Sequence, residues 1–386
     1  MTPILLLILF LESILIGIFL YIDILPYLKK KFFSKRYCNP NLDNATYIKL
    51  ITNQALKQAI SDTTQMIRSD NTSFIFLFSI MIDNIRTGRY KTGWYFHFPK
   101  AFLFYGLIKI HEKRVEYKMI EDLFQKKFVN TYNEKKYKID GIERTSIALV
   151  ALYLYKKNND SKYLNLINDT YSLIKKSTKK NGLVYYFNKG EHTDILYVDG
   201  LGMYIPFLKL YNEVFNNSEA LDIAKTNLDF YIANGTHNHL PFHNINGTIG
   251  LGPNNWGRGI GWYVIGLLFM IDVDKKYAKE ANDLLDVLLS FQRNSFEWAQ
   301  FIGTGKNYDA SATLPILLLL QKLKPQFFTS NKQEIFDSLK SRTLLTGAID
   351  FTSGDTGGIN RYCDNLGESE FSQGLLLWLS SNCPIN

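Results

Sequence analysis

Residues 202–234 read GMYIPFLKLYNEVFNNSEALDIAKTNLDFYIAN, and this pattern decides the fold class. Apolar residues recur at spacings of three and four on both sides of a short polar turn, which predicts a helix, a turn and a second helix. The same pattern returns in stretches that begin at Ala101, Arg144, Gly261 and Ser311. Such pairs repeat about every fifty residues without strict identity. The sequence therefore predicts an all-α protein, a ring of helical hairpins whose loops at one end form a pocket.

The composition is that of a folded globular protein. Of 386 residues, 46% are hydrophobic, 21% charged and 15% aromatic, and a closed helical ring of this length can be one domain. Aromatic rings at this level serve either as sugar-stacking platforms or as core filling. Much of the net charge of +8 lies at residues 29–36, so it indicates no nucleic-acid partner. The three cysteines show neither metal spacing nor an even-numbered disulfide framework.

The N-terminal segment predicts a membrane anchor. Residues 4–22, ILLLILFLESILIGIFLYI, would form ~28 Å of apolar helix, enough to span a bilayer. No positive residue precedes them, so cleavage as a signal peptide is not expected. Because the positive residues follow the span, the positive-inside rule places the body in the cytoplasm, tethered to the inner membrane by a single pass. The predicted division is a transmembrane anchor at 1–25, a basic juxtamembrane linker at 26–44 and a toroid domain at 45–386.

The most informative acid lies in EHTDILYVDGLGMYIP, residues 191–206. Asp199 stands among Tyr, Gly and Met residues immediately before a predicted helix. It is a candidate general acid/base whose pKa would be set by burial and neighbours. It is also a candidate N-cap, since Asp is a preferred residue there. Asp140, Glu143 and Asp309 precede other predicted helices, where capping is the expected role.

A second candidate region is LGPNNWGRGIGWYVIGL, residues 251–267. It interleaves Trp256, Arg258 and Trp262 with glycines. Glycine lets backbone approach a ligand, tryptophan offers a face to a sugar ring, and arginine offers a planar fork to a carboxylate. The structural alternative is a glycine-rich helix entrance with a tryptophan in the core. No Lys-Ser or Lys-Thr follows, so the stretch is not a phosphate loop.

Three histidines fall within THNHLPFHN, residues 236–244. His237, His239 and His243 could bind a metal, but no acidic partner is fixed in the sequence and the spacings match no closed zinc pattern. Contact with solvent or with a ligand is the expected role. We therefore predict no metal and no cofactor.

These stretches, in this order, resemble glycoside hydrolase families 88 and 105, the unsaturated glucuronyl and rhamnogalacturonyl hydrolases. WGRGIGWYVIGL is similar to the family's Trp-x-Arg-Gly-Asn-Gly-Trp signature, and YVDGLGMYIPFL is similar to its catalytic-aspartate segment. DGIERTSIALVALYLYKKNNDSKYL and DASATLPILLLL are similar to an earlier Asp-bearing hairpin and a later helix start. The similarity spans about residues 90–320 and extends more loosely to GDTGGINRY and GESEFSQGLLLW.

The resemblance implies an (α/α)6 toroid, a six-hairpin barrel with its pocket at one end. It implies that Asp199 protonates the C4–C5 double bond of an unsaturated uronic acid and activates water for C5, with Asp140 as a second acid. Arg258 and Trp262 match substrate-pocket positions. Further candidates for substrate contact are Trp256, His243 and His192.

Two departures from the family pattern bear on activity. Ile260 replaces the usual Asn between two glycines, and Gly202 stands where bulkier residues are common. We prefer a membrane-anchored hydrolase of unsaturated or acidic sugars. The alternatives are a catalytically altered, glycan-binding accessory protein that partners the machinery of exopolysaccharide, capsule or O-antigen synthesis, and an epimerase that uses His192 and His243.

Overall fold

Helices dominate the computed structural model. It describes residues 3–20, 36–61, 97–135, 138–187, 190, 192–293, 295–304, 307–354, 356, 359–363 and 365–383. The helices of these residues are α1 Pro3–Phe19, α2 Asn44–Ile60, α3 His97–His111, α4 Glu116–Phe124, α5 Thr145–Asn158, α6 Leu164–Ser177, α7 Val198–Phe215, α8 Ser218–Asn234, α9 Gly257–Met270, α10 Lys275–Ser290, α11 Ala310–Leu323, α12 Pro325–Ser330, α13 Lys332–Ser341 and α14 Glu370–Ser381. A π-helical turn at Gln125–Val129 and a last turn at Asn130–Asn133 extend α4, and single 3-10 turns lie at Ile142–Arg144 and Ser161–Tyr163.

An inner ring is formed, within the described residues, by six of these helices. They are α3, α5, α7, α9, α11 and α14, and each packs against the next until α14 meets α3. Their sequences are apolar nearly all round because neighbours cover them on every side. On α9, for example, every residue from Gly257 to Leu267 is buried.

The outer helices pack against this ring with one face each. On α6 the buried residues include Leu166, Ile167, Thr170, Tyr171 and Ile174, which is the three-and-four spacing of a half-buried helix. Each inner helix from α3 to α11 is followed by an outer partner, namely α4, α6, α8, α10 and the α12–α13 pair. The five helical hairpins predicted from the sequence are therefore confirmed.

The sixth pair joins the two ends of the described toroid. Helix α2 packs on α14 and α3, although it lies about 300 residues before α14. Gln373 fixes this junction, because its amide donates to the carbonyls of Ile51 and Gly347, at 2.9 and 3.1 Å, and accepts from the Ile349 N–H at 3.0 Å. This pairing supplies the outer helix of the sixth pair, as an (α/α)6 toroid requires.

The two ends of the ring differ in their loops. Because inner and outer helices alternate in direction, all inner helices run the same way. The inner-to-outer turns are short, while the outer-to-inner connections are long and contain the strands β1 Ile195–Tyr197, β2 Thr236–His237, β3 Leu240–Pro241, β4 Asn244–Asn246, β5 Ile249–Leu251, β6 Thr352–Ser353 and β7 Leu366–Gly367. These form antiparallel sheets β1-β4-β5, β2-β3 and β6-β7. The long loops therefore cluster at the N-terminal ends of the inner helices.

Helix α1 covers residues 3–19 of the segment predicted as an anchor, and residues 21–25 lie outside the described residues. Helix α1 has 17 residues, or ~26 Å at 1.5 Å per residue, against a hydrocarbon thickness of ~30 Å. Among the described residues, no helix has both the length and the apolar character needed to cross a membrane. The transmembrane helix predicted over residues 4–22 is thus not confirmed. Much of the predicted basic linker lies outside the described residues, and the cytoplasmic location stays a prediction.

Candidate active site

The site is built where β1 runs into α7. Tyr197 of β1 pairs with Asn244 of β4, and the Val198 N–H donates to the His243 carbonyl at 3.0 Å. This register places His243 beside Asp199 in the first turn of α7. The N-cap position belongs to Tyr197, and Asp199 makes no capping hydrogen bond. The N-cap interpretation of Asp199 is therefore wrong, since strand pairing rather than a side chain starts the helix.

Asp199 and His243 face each other at close range. His243 Nε2 lies 3.2 Å from Asp199 Oδ2, and the side chains are 2% and 15% exposed, respectively. These two atoms are not oriented for a hydrogen bond, and Asp199 Oδ2 has no hydrogen-bond partner among the described residues. A buried carboxylate oxygen without a partner is costly unless a ligand, water or proton completes it. Asp199 Oδ2 is therefore available to accept or donate a proton.

Tyr362 and Trp256 hold the imidazole of His243 from its other side. The Tyr362 hydroxyl lies 2.7 Å from His243 Nδ1. The Trp256 ring centroid is 4.4 Å from that of His243 and 5.1 Å from that of Tyr362. Burial, followed by the charge of Asp199, raises the pKa of Tyr362, so its hydroxyl keeps its proton. Fixed rings on two sides leave His243 little freedom to turn away from Asp199.

Arg258 provides a buried positive charge near this pair. The side chain is buried, its Nη1 donates to the Ser353 carbonyl at 2.8 Å, and its guanidinium carbon lies 5.0 Å from the Trp256 ring centroid. Burial and the charges of Glu143 and Asp199 raise the pKa of Tyr186, whereas Arg258 lowers it. Arg258 and Asp199 are thus both close enough to the Tyr186 hydroxyl to shift its pKa, in opposite directions. Such a cation fits an acidic ligand.

The two carboxylates of the loop before α5 have different surroundings. Asp140 is 63% exposed and pairs with Arg144 at 2.9 Å. Glu143 is 31% exposed and folds back over Gly141, where an added Cβ would lie 2.5 Å from its carboxylate oxygens. Burial raises the pKa of Glu143, and the nearby Asp140 adds to this effect. Glu143 is therefore the more enclosed acid of the two, and the role of Asp140 as a second acid stays a prediction.

The glycines of α9 serve helix packing. A Cβ on Gly257 would lie 2.6 Å from Ala312 Cβ, and one on Gly261 would lie 2.7 Å from the Ser311 carbonyl oxygen, so both allow α11 to approach α9. Trp262 is 1% exposed and packs against Phe98, Phe102 and Phe371. The structural alternative for this stretch, a glycine-rich helix entrance with a core tryptophan, is confirmed. Trp262 supports the site from behind and offers no open face to a ligand.

Ile260 belongs to the hydrophobic core. Its side chain is fully buried among the residues of the inner ring. The apolar residue at this family position is therefore accommodated by packing.

The histidines do not converge on one point. His243 faces Asp199, His237 is exposed, and His239 pairs with Glu280 at 3.0 Å. In the described residues, His239, Glu280 and Asp283 place ligand-type atoms within 4.8 Å of one another. Glu280 also accepts from the Tyr263 hydroxyl, and Asp283 pairs with Lys279, so protein groups already occupy these oxygens.

The remaining predicted residues lie at the rim or in the core. His192 is exposed, with its ring 6.2 Å from that of Phe187. Asp194, the other acid of the Asp199 stretch, is 77% exposed and pairs with Lys179. Asp309 is the N-cap of α11 and accepts from the N–H groups of Ser311 and Ser353. Capping is therefore confirmed for Asp309.

Sequence reasoning missed Tyr186, Ser353 and Tyr362. The Tyr186 ring lies 5.4 Å from that of Tyr197, at a tilt of 46°, and stands in an aromatic run without a recognisable motif. Tyr362 ends the stretch GDTGGINRY, which is more than 100 residues from His243 and was matched only loosely. The distance along the chain explains the omission, because only tertiary packing brings this loop to His243.

One end of the (α/α)6 ring thus combines an acid and imidazole pair with a buried arginine and packed aromatic rings. The family model of Glycosyl Hydrolase Family 88 matches residues 80–378. The chain belongs to this family, which confirms the resemblance seen in the sequence.

Solved structures share the fold at low sequence identity. A possible member of the GH105 family from Salmonella enterica serovar Paratyphi A is 15% identical, with a TM-score of 0.72 over 89% of this chain and 94% of the other. A family 105 glycoside hydrolase from C. acetobutylicum is 20% identical, with a TM-score of 0.64 over 79% and 98%. An unsaturated glucuronyl hydrolase from Bacillus sp. GL1, responsible for the degradation of glycosaminoglycan, is 12% identical, with a TM-score of 0.66 over 88% and 94%. The likeness extends over nearly the whole toroid.

Proposed function

We propose that this chain hydrolyses glycans whose terminal residue is a C4–C5 unsaturated uronic acid, with Asp199 as the general acid and base. One observation supports this most directly: Asp199 Oδ2 is shielded, lacks a hydrogen-bond partner among the described residues and faces His243 Nε2 at 3.2 Å. Family membership supplies the glycoside hydrolase class. The name of the Bacillus neighbour supports the substrate class.

The proposed reaction is a hydration. Asp199, in its carboxylic acid form, donates its proton to C4 of the double bond, and positive charge develops at C5 and the ring oxygen. The Asp199 carboxylate then takes a proton from water, whose oxygen bonds to C5. The resulting hemiketal opens to a ketone, and the aglycone leaves C1 with a proton. The sum is one water added and one glycosidic bond broken, without the pair of flanking carboxylates that ordinary glycosidases use.

His243 and Arg258 fit supporting roles in this scheme. If the Tyr362 hydroxyl donates to His243 Nδ1, the proton of the imidazole lies on Nε2, where it stabilises the Asp199 carboxylate after proton transfer. Arg258 supplies a buried positive charge for the uronate carboxyl group. The N-terminal ends of the inner helices add a partial positive charge at the same end of the ring.

The decisive experiment follows the ultraviolet absorbance of the conjugated double bond. Purified protein is incubated with unsaturated disaccharides from glycosaminoglycan and from rhamnogalacturonan, and Asp199→Asn is compared with wild type. The matched control is Asp194→Asn, an exposed acid five residues earlier. We expect loss of absorbance with wild type and with Asp194→Asn, and at least a 100-fold slower loss with Asp199→Asn.

Two other outcomes would change the proposal. Equal turnover by Asp199→Asn would reject Asp199 as the acid while leaving the substrate class in place. Absence of turnover on every unsaturated substrate, with glycan binding retained, would reject the hydrolase and favour the glycan-binding accessory protein. Membrane association is a separate prediction, and membrane flotation of the full chain against a variant lacking residues 1–25 tests it.

A further inference from the structure

A cavity opens at the end of the toroid opposite Asp199. Its volume is about 790 Å³, and an adjoining recess of about 400 Å³ shares Tyr105, Lys109, Lys209 and Phe269 with it. Together they are lined by residues from the C-terminal halves of all six inner helices. Ligand pockets typically have volumes of ~300–1,000 Å³, so this space is large enough for a small ligand.

Aromatic rings form one part of the lining. Tyr105 and Trp378 lie 5.1 Å apart between ring centroids, and Phe269 lies 6.0 Å from Trp378. Phe269 and Trp378 are only partly buried, so part of each ring faces the cavity. Exposed aromatic faces of this kind contact the apolar faces of ring-shaped ligands such as sugars.

Positive charge is in excess in the rest of the lining. Six lysines and three carboxylates surround the cavity and its recess, and no arginine does. Asp272 pairs with Lys322 at 2.9 Å, and Glu213 is shared by Lys156 and Lys209. Glu112 lies 3.5 Å from Lys157. Each of the three carboxylates is therefore already paired with at least one lysine.

Among the described residues, Lys109 has no carboxylate at ion-pair distance. Its Nζ donates to the Tyr153 hydroxyl at 3.1 Å and lies 4.4 Å from the centroid of that ring. In the part of the chain that the structure describes, no carboxylate oxygen comes within 4.0 Å of it. Burial lowers the pKa of Lys109, and the neighbouring Lys157 and Lys156 lower it further, whereas Glu112 raises it. An ammonium group held in this way is stabilised by an anion that enters the cavity.

Helix dipoles account for part of this pattern. Lys109, Lys156, Lys157 and Lys322 lie in the last turns of their helices, where positive side chains complement the partial negative charge of the C-terminus. This explains the number of lysines. It does not explain why the partly exposed rings of Phe269 and Trp378 lie beside Lys109, which has no carboxylate oxygen within 4.0 Å among the described residues.

We propose that this cavity is a second, non-catalytic binding site for an acidic oligosaccharide, in which Lys109 contacts a carboxylate and the Phe269 and Trp378 rings contact sugar faces. Lysine binds anions as a point charge, and the partly exposed aromatic rings beside Lys109 favour a sugar as the carrier of that charge. The proposed function places one glycan site at Asp199, and this cavity is a second glycan site at the opposite end of the ring. It does not depend on the chemistry at Asp199.

Calorimetric titration with saturated trigalacturonate tests the site, because this probe is acidic and has no C4–C5 double bond. Wild type, Lys109→Gln and Trp378→Ala are titrated as full chains at low and moderate salt. Gln removes the charge and keeps an N–H donor on a side chain that is one bond shorter. Lys279→Gln, which removes a 77% exposed lysine from α10, is the matched control.

We expect wild type and Lys279→Gln to bind the probe with the same affinity, and Lys109→Gln and Trp378→Ala to bind it at least fivefold more weakly. Added salt should weaken binding by wild type more than binding by Lys109→Gln. Turnover of an unsaturated disaccharide should be the same in Lys109→Gln and wild type. Unchanged affinity in both cavity variants would overturn the proposal, as would equal binding of a neutral trisaccharide. Absence of turnover in all proteins would contradict only the function assigned to Asp199.

Discussion

Tyr362 is the residue that decides how His243 meets Asp199. Its hydroxyl lies 2.7 Å from His243 Nδ1, and both rings pack against Trp256. The imidazole has no other hydrogen-bond partner for Nδ1 among the described residues. The orientation of the acid and imidazole pair therefore depends on a loop that precedes α14, more than 100 residues away in the sequence.

Tyr362→Phe should lower kcat by about two- to tenfold with little change in KM, since one hydrogen bond contributes about 0.5–1.5 kcal/mol. The phenyl ring keeps the packing against Trp256, so the fold should be retained. Steady-state kinetics on an unsaturated disaccharide measures the effect. Tyr171→Phe is the control, because it removes a hydroxyl on α6 that donates a hydrogen bond to Glu219 Oε2 at 2.8 Å. An unchanged kcat in Tyr362→Phe would exclude Tyr362 as a positioning residue.

Glu143 should make the stability of the protein depend on pH. Burial raises the pKa of this carboxyl above its usual 4.5, so the folded state binds the proton more tightly than the unfolded state. The protonated Glu143 side chain therefore contributes fully to the stability of the fold below pH 4.5. This contribution is lost as the pH rises through the pKa of Glu143 in the folded state. We expect Glu143→Gln to raise the Tm at neutral pH, and the difference from wild type to vanish at acidic pH. A Tm difference that is the same at every pH would contradict this account.

At the scale of elements, close crossing of α7 and α9 fixes the geometry of the site. Asp199 begins α7, and Arg258 lies in the first turn of α9. Gly202 lies at the crossing, where an added Cβ would be 2.5 Å from Trp262 Cε3 and 2.7 Å from its carbonyl oxygen. The small residue at this family position is therefore required by the backbone of the neighbouring helix.

Gly202→Ala should destabilise the protein by about 1–3 kcal/mol, the usual cost of overpacking a core. Because it forces α7 away from α9, it should also lower kcat. Chemical denaturation and steady-state kinetics measure the two effects. Gly17→Ala is the matched control, since Gly17 is also helical but has no atom within 4 Å of an added Cβ. A stable, fully active Gly202→Ala would show that the crossing tolerates a wider spacing.

At the scale of the whole molecule, closure of the ring depends on a few buried polar contacts. Gln373 makes three hydrogen bonds that join α14 to α2 and to the loop after α13. Lys100 and Glu370 form a buried ion pair at 2.7 Å between the first turns of α3 and α14. These contacts hold together segments that are far apart in the chain.

Gln373→Leu should lower the free energy of unfolding by about 3–5 kcal/mol, because three buried backbone groups lose their partner. Circular dichroism during urea denaturation measures this change. Gln333→Leu on the exposed face of α13 is the control and should change stability by less than about 0.5 kcal/mol. A similar loss of stability in both variants would show that the hydrogen bonds of Gln373 contribute no more to stability than those of a surface glutamine.

The helical hairpins could be predicted because their signal is local. The buried positions of α6 and the turn between α7 and α8 can be read from a few neighbouring residues. The capping role of Asp309 was predicted for the same reason. Asp199 could be singled out but not resolved, because cap and catalytic acid share the same sequence context. Pairing of Tyr197 with Asn244 excluded the cap, and strand pairing is not visible in the residues around Asp199.

The sequence by itself determined that the chain is helical, that it repeats as hairpins and that it resembles glycoside hydrolase family 88, because periodicity and motif order are local properties. Only the tertiary structure decided that Asp199 faces His243, that Tyr362 orients that imidazole and that Trp262 is core. It alone revealed the lysine-rich cavity at the opposite end. Each of these contacts joins residues separated by tens to hundreds of positions, which strand pairing and the packing of the inner helices bring together.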